Sequence, residues 1–390
     1  MLDTECPCCG SQNTERFFAI KNAPIFSVVT VKSQADALAV PRKDIELSFC
    51  NDCAFIFNRL FDPTMDYFSQ GYEDQQGYSK TFMQYLTRIA KELIEKYHLE
   101  GKTVLEIGCG KGDFVNLMVE LNGGTGIGID PAYEENRQKS PNLTFFKEPY
   151  SRKHGKLPAN LICCRHTLEH IHDAEKFLTY IRRSLGEGTD PIMFFEVPSM
   201  KRILEEQAFW DIYFEHCSYY SAGSLARVFR KTGYEILDLH LDYNDQYLLI
   251  EAKPTSTISD KTFPIEESVE ESKVLVDRFK NEVTERLEKW RTRLIELKEK
   301  SSKTVVWGGG SKSVGFLTQF ADLNLIEYVV DVNPHMKGNF IPGIGKMYVE
   351  PKFLKEYQPD AVIIMNGIYT AEIEKMLHDM DLSPAIYALE

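Results

Sequence analysis

A chain of 390 residues exceeds one ordinary domain, and 43% hydrophobic with 26% charged residues is the composition of a folded globular protein, not a fibrous or disordered one. The net charge of -13 argues against a general basic field for nucleic acid or anionic membrane, and no run is long and apolar enough to span a bilayer. The start, MLDTECPCCG, lacks the basic-then-apolar order of a secretion signal, so the chain reads as cytoplasmic, where grouped cysteines favour metal binding over disulfides.

Residues 1–75 read as a small module with short β-like runs, RFFAI and IFSVVTV, and two C-x-x-C pairs, Cys6 with Cys9 and Cys50 with Cys53. Thiolates so paired suit a closed tetrahedral Zn²⁺ site that holds together a module too small for its own core. A β-insert must fold back to join the pairs, and Cys8 offers an alternative ligand. Four cysteine ligands leave no open position, so such a zinc is structural.

Residues 76–253 open with an amphipathic helix, MQYLTRIAKELIEKY, and continue in alternating strand and helix signals, the order of a doubly wound α/β sheet. VLEIGCGKGDF places an apolar strand before Gly108, Gly110 and Gly112, followed by the helix DFVNLMVEL. Such a turn brings backbone close to a ligand. Glu106 within the strand end, and Asp130 ending GIGID where it can hold ribose hydroxyls, favour S-adenosylmethionine over a dinucleotide. Further on, RHTLEHIHD puts His166, His170 and His172 near a strand's C-terminal end, where ligands of open α/β sheets bind. DIYFEHCSYYS gathers Tyr213, Glu215, His216, Tyr219 and Tyr220. A histidine beside a carboxylate can act as a general base, with tyrosine hydroxyls stabilising a developing oxyanion; aromatic segments of this kind also build cores.

Residues 254–302 are a polar linker followed by one long amphipathic helix, and 303–390 carry three buried strands, KTVVW, IEYVVDVN and PDAVIIMNG, of a smaller Rossmann-like unit.

LEIGCGKGDF with GIGIDP and ICCRHTLEHIHD resembles the class I S-adenosylmethionine-dependent methyltransferases. That resemblance puts Glu106, Gly108, Gly110 and Gly112 at the methionine end of the donor, Asp130 at the ribose, and Glu148 or Tyr150, from FFKEPYS, beside the adenine. The wider set (two C-x-x-C pairs, the methyltransferase core, YFEHCSYYS, WGGGSKS and VVDVNPHMKGNFIPG) resembles, over nearly the whole chain, the sugar C-methyltransferases of deoxysugar biosynthesis. These methylate C-3 of a nucleotide-linked 4-keto-6-deoxy sugar. The resemblance implies a nucleotide-sugar substrate, His216 as the base that removes the C-3 proton, Glu215 and Tyr213 orienting it or the substrate, His170 at the keto oxygen, and Tyr72 on the substrate side, with Tyr78 as its alternative. His166 stands where the family commonly has asparagine, and IIMNGIYTAEI replaces the usual turn. The C-terminal glycine loop, with Asp331 after it, imitates a dinucleotide site; Ser311 and Lys312 there could clasp the diphosphate or simply pack the domains, and Lys337 reads as a solvated surface residue. An O- or N-methyltransferase on another small acceptor is the alternative activity; a zinc-bearing scaffold and an NAD-dependent oxidoreductase stand further off.

Overall fold

The computed structural model describes residues 5–64, 71–73, 75–135, 140–185, 190–257 and 259–389. Its central sheet has seven strands in the order Tyr234–Asp242, Tyr247–Pro254, Ile192–Pro198, Leu161–Arg165, Thr103–Ile107, Thr125–Ile129, Leu143–Phe146. Only Tyr247–Pro254 runs against the others. This is the Rossmann-like order of the class I methyltransferases. Sequential strands proceed outward from Thr103–Ile107 to one edge, then the chain returns to Leu161–Arg165 on its other side. The crevice at that reversal is where open α/β sheets bind ligands. It receives both the glycine loop after Ile107 and the histidine turn after Arg165.

The strands are near-continuous apolar runs because helices cover both faces: all five residues of Leu161–Arg165 are buried. The expected first helix is Lys80–Tyr97, capped by Ser79, whose hydroxyl accepts from the Phe82 amide; Phe82, Leu86, Ile89 and Leu93 form its buried stripe.

The N-terminal residues form an antiparallel sheet of Thr14–Pro24, Arg42–Cys50 and Ile56–Asn58, and a fourth strand, Ser218–Tyr219, arrives from the central domain. RFFAI lies in the first of these strands. IFSVVTV does not form one: it makes only isolated bridges, Val29 to Tyr72 and Val31 to Phe340. Ile25, Ser27 and Val28 are buried in it without alternation, because the segment passes between domains instead of along a sheet face.

The long helix runs Val269–Glu299 with a capping box of Ser268 and Glu271. Phe279 meets Phe17 and Phe18 of the N-terminal sheet edge-on at 6.0 and 5.3 Å, and Trp290 meets Phe316 of the C-terminal unit at 5.1 Å. That unit is a parallel sheet of five strands in the order Met347–Val349, Tyr328–Val330, Thr304–Trp307, Ala361–Ile364, Ala385–Ala388. The two outer strands, three and four residues long and partly exposed, are the ones the apolar runs did not announce. Among the described residues no helix is long and apolar enough to cross a membrane.

Candidate active site

The crevice opens into a cavity of about 680 Å³, walled on one side by the central domain and on the other by the C-terminal unit. On the central side Gly108 and Gly110 turn with φ of 70° and 54°. The Gly110 amide donates to Asp130 Oδ2 at 2.8 Å and the Ala132 amide to Oδ1 at 2.6 Å. Each oxygen keeps a lone pair, which suits a vicinal diol. Glu106 is 3% exposed, accepts from the Val115 amide, and is pushed up to about 8 chiefly by burial. A buried carboxyl of this kind fits an ammonium group, so the donor set matches the methionine and ribose ends of S-adenosylmethionine.

Gly112 and Glu148 do not join them on the cavity wall. A Cβ on Gly112 would lie 2.7 Å from the Phe145 ring, and its φ is +87°, so packing and turn geometry account for this glycine. Glu148 faces Lys153 at 2.6 Å and His154 at 3.0 Å; its neighbours Pro149 and Tyr150 line the cavity instead.

The segment 211–220 divides between core and cavity across a turn at Phe214 and Glu215. Ile212, Phe214, Cys217 and Tyr220 are buried in the core, whereas Asp211, Tyr213 and His216 reach the cavity. The stretch that carries the candidate base therefore also packs the core. Tyr213 Oη lies 2.8 Å from His216 Nε2. Burial, with His170, His166 and Lys312 nearby, holds His216 well below the usual imidazole value, so it is neutral at physiological pH. His170 donates from Nδ1 to the Glu215 carbonyl at 3.0 Å, and its ring stands across that of His216 at 4.9 Å, 81° between planes. Glu215 itself is 1% exposed and takes the Ser27 hydroxyl, which in turn lies 2.9 Å from Ser311 Oγ. Its carboxylate is thus engaged with the N-terminal module. Tyr72 lines the cavity from the bridge with Val29.

His166 adopts φ of 47°, a left-handed conformation that asparagine and histidine tolerate better than most residues, which is a physical reason for either at this position. Burial opposes its charge, but Glu196 at 2.6 Å and Glu169 at 3.6 Å raise it to about 9. Arg165 pairs bidentately with Glu196, at 2.8 and 3.3 Å, and Tyr85 donates to the same carboxylate at 2.8 Å. Arg165, Glu169 and Glu196 went unremarked in the sequence because each sits in an apolar strand or turn; only their neighbouring histidines carried a signal.

The C-terminal wall repeats the central one. The Gly309 amide donates to Asp331 Oδ2 at 2.6 Å and the Asn333 amide to Oδ1 at 2.7 Å, and Asp331 faces the same cavity. Lys312 is held by Asp211 at 2.7 Å, and Asp211 also takes Arg202 at 2.9 Å. Lys337, 55% exposed, pairs with Glu350 on the surface.

Away from the cavity, Cys6, Cys9, Cys50 and Cys53 bring their sulfurs within 4.8 Å of one another, with Cys6–Cys53 at 3.7 Å and Cys9–Cys50 at 3.6 Å. A tetrahedron with metal–sulfur bonds of about 2.3 Å has edges of about 3.8 Å. The knuckles match: Gly10 donates to the Cys6 carbonyl and Ala54 to that of Cys50, both at 2.9 Å, and both residues have positive φ. Cys8 lies outside the quartet.

The methyltransferase-domain family matches residues 78–239, and the C-methyltransferase C-terminal-domain family matches 261–383. The chain is 24% identical over 312 residues to the C-methyltransferase NovU of Streptomyces niveus, covering 75% of this chain and 73% of that protein. Among solved structures it is similar to magnesium protoporphyrin IX methyltransferase (ChlM) from Synechocystis PCC 6803 with bound SAH, at 12% identity over 45% of this chain and 84% of that one, TM-score 0.35. It is also similar to a SAM-dependent methyltransferase from Aquifex aeolicus, at 16% identity over 44% and 98%, TM-score 0.33. With a methyltransferase domain through its middle and a C-methyltransferase C-terminal domain behind it, the chain is an S-adenosylmethionine-dependent methyltransferase.

Proposed function

We propose that the protein methylates C-3 of a nucleotide-linked 4-keto-6-deoxy sugar. The observation that carries this reading is a single cavity bounded by two glycine-loop aspartates, Asp130 and Asp331, with Tyr213, His216 and His170 on the wall between them. One aspartate holds the donor's ribose and the other the nucleotide of the acceptor. The C-methyltransferase name of its Streptomyces relative supports carbon as the methylated atom.

Bound S-adenosylmethionine supplies an electrophilic methyl group on a sulfonium. The 4-keto group acidifies the neighbouring C-3–H bond, and the Tyr213–His216 pair takes that proton, leaving the electron pair on an enolate whose carbon attacks the methyl. The low proton affinity of His216 keeps it in the accepting form. His170 has its Nδ1–H committed to the Glu215 carbonyl, so while neutral it offers only an acceptor at Nε2. Hydrogen bonding to the enolate oxygen is therefore assigned to the Tyr72 hydroxyl, since that of Tyr213 is committed to His216. We assign Ser311 and Lys312 to the diphosphate end, where Lys312 shares its charge with Asp211. The cysteine quartet holds structural Zn²⁺, and a reducing cytoplasmic setting keeps its thiols available.

The test is incubation with donor and a panel of nucleotide-linked 4-keto-6-deoxy sugars in heavy water, followed by mass spectrometry. One added methyl on carbon, with C-3 deuterium uptake abolished in His216→Ala, is the expected result. Methylation of an oxygen or nitrogen acceptor with no exchange at carbon overturns the sugar assignment.

A further inference from the structure

The assigned roles leave unused a buried acid beside the histidines, Glu169. Glu169 is 2% exposed and lines the cavity from the short turn Leu168–His170. Its Oε1 lies 3.6 Å from His166 Nδ1 and 4.0 Å from His216 Nε2, while Oε2 is enclosed with no hydrogen-bond partner among the described residues. Buried carboxylate oxygens are normally satisfied, and an exception calls for a physical reason.

Its position is built into the backbone. The Glu169 carbonyl accepts from the Cys217 amide at 3.0 Å, His170 Nδ1 donates to the Glu215 carbonyl at 3.0 Å, and Ser218 Oγ donates to the Ile171 carbonyl at 2.7 Å. The turn and the base-bearing loop are one hydrogen-bonded unit, so the approach of Glu169 to His216 is fixed from both sides.

We propose that Glu169 is the positioning carboxylate of the proton-transfer pair, the counter-charge that receives the His216 imidazolium, with His166 holding it from the far side. This rests on the reading of His216 as the proton acceptor. The local pattern assigned that role to Glu215, whose carboxylate is engaged with Ser27. The groups facing His216 are otherwise unhelpful to a cation: His170, His166 and Lys312 all disfavour it, and Tyr213 and Tyr219 are neutral phenols held well above their usual values by burial. Around Glu169 stand His166 with Glu196 and Arg165 behind it, and the buried thiols of Cys164 and Cys217. An imidazolium forming there needs an adjacent carboxylate.

The experiment uses the full chain with S-adenosylhomocysteine, a nucleotide-linked 4-keto-6-deoxy sugar and heavy water, and reads the rate of deuterium uptake at C-3 against pH and sugar concentration. Glu169→Gln should slow exchange by roughly 10- to 100-fold at saturating sugar, with the half-saturating sugar concentration changed less than about threefold. Its acid limb should move to lower pH, because losing the carboxylate lowers His216 further; a purely structural role would not move that limb. Glu169→Asp should fall between the two, and calorimetry with S-adenosylhomocysteine shows whether each variant is folded. Wild-type exchange in Glu169→Gln overturns the proposal. So does weakened half-saturation with full exchange at saturation, which makes Glu169 an acceptor for a sugar hydroxyl. Undiminished exchange in His216→Ala instead overturns the base assignment on which the proposal rests, whatever Glu169→Gln does.

Discussion

The two glycine loops facing the cavity are alike in backbone and unlike in charge. Gly110, Asp130 and Ala132 on one side, and Gly309, Asp331 and Asn333 on the other, make the same pair of amide-to-carboxylate bonds, at 2.8 and 2.6 Å in the first and 2.6 and 2.7 Å in the second. On the central side a buried acid, Glu106, stands one residue before the strand's end, and Lys111 is bonded to the Ala132 carbonyl and Glu134. On the C-terminal side the strand ends in Trp307 and the helix begins with Ser311 and Lys312, the latter tied across the domain joint to Asp211. In the proposed reading one backbone device serves two ligands, and side chains near it set the sign: an acid for the ammonium end of the donor, a lysine for a phosphorylated acceptor.

The comparison breaks most severely if the third region, the N-terminal module, is disturbed. Cys50→Ser removes one ligand of the quartet and loosens the sheet whose last strand, Ser218–Tyr219, follows closely on His216. Turnover should fall by about 10²- to 10⁴-fold, the range of a lost general base, while calorimetry shows both loops still binding their ligands. Loss of donor binding as well would mean that the module supports the whole crevice and not the base loop.

Lys312→Met strands Asp211 beside Arg202 alone. With the lysine side chain 22% exposed, thermal unfolding should register a loss of about 2–3 kcal/mol, somewhat below that for a fully enclosed pair. An unchanged melting temperature would remove Lys312 from the domain joint. Asp130→Ala and Asp331→Ala should then separate the loops: each lowers affinity for its own ligand about 10- to 100-fold, donor for the first and nucleoside diphosphate for the second, without crossing over. A shared effect would merge the two sites into one.

The smallest effect is in pH. Glu106 is protonated in the free protein up to about 8 and must ionise to receive the donor's ammonium, so binding expels a proton. Donor affinity should rise about fivefold between pH 7 and pH 8, then level off, and Glu106→Gln should flatten that rise. Because the folded value is raised, this carboxyl also makes the unliganded protein less stable as pH climbs from its ordinary value of 4.5 to about 8. The donor's own amino group titrates in the opposite sense, so wild type and Glu106→Gln are compared at each pH by calorimetry in two buffers.

Where short spacing along the chain fixes geometry, the placement of residues was readable in advance. The glycine loop, Asp130 and the four cysteines each depend on short spacing that backbone geometry enforces, and the structure puts the quartet's sulfurs together and the aspartate across from Gly110. His216 and Tyr213 were readable as a pair because they lie within one turn of chain. Glu148 lies off the cavity wall because a residue after a strand can face either way, and it bonds to Lys153 and His154. IFSVVTV looked like a strand because burial, whatever its cause, selects the same residues.

The sequence alone determined the order of the domains' elements, the zinc-type knuckles and the donor loop, all of them consequences of neighbours along the chain. Tertiary structure alone decided that the two glycine loops share one cavity, that a strand after His216 completes the N-terminal sheet, and that the carboxylate of Glu169, from a separate turn, comes within 4.0 Å of His216 Nε2. The reason is that the chain turns at Phe214 and Glu215, where the His216 amide closes back on the Tyr213 carbonyl, so neighbours in sequence diverge while a residue from a distant turn, brought in by the fold, stands near His216.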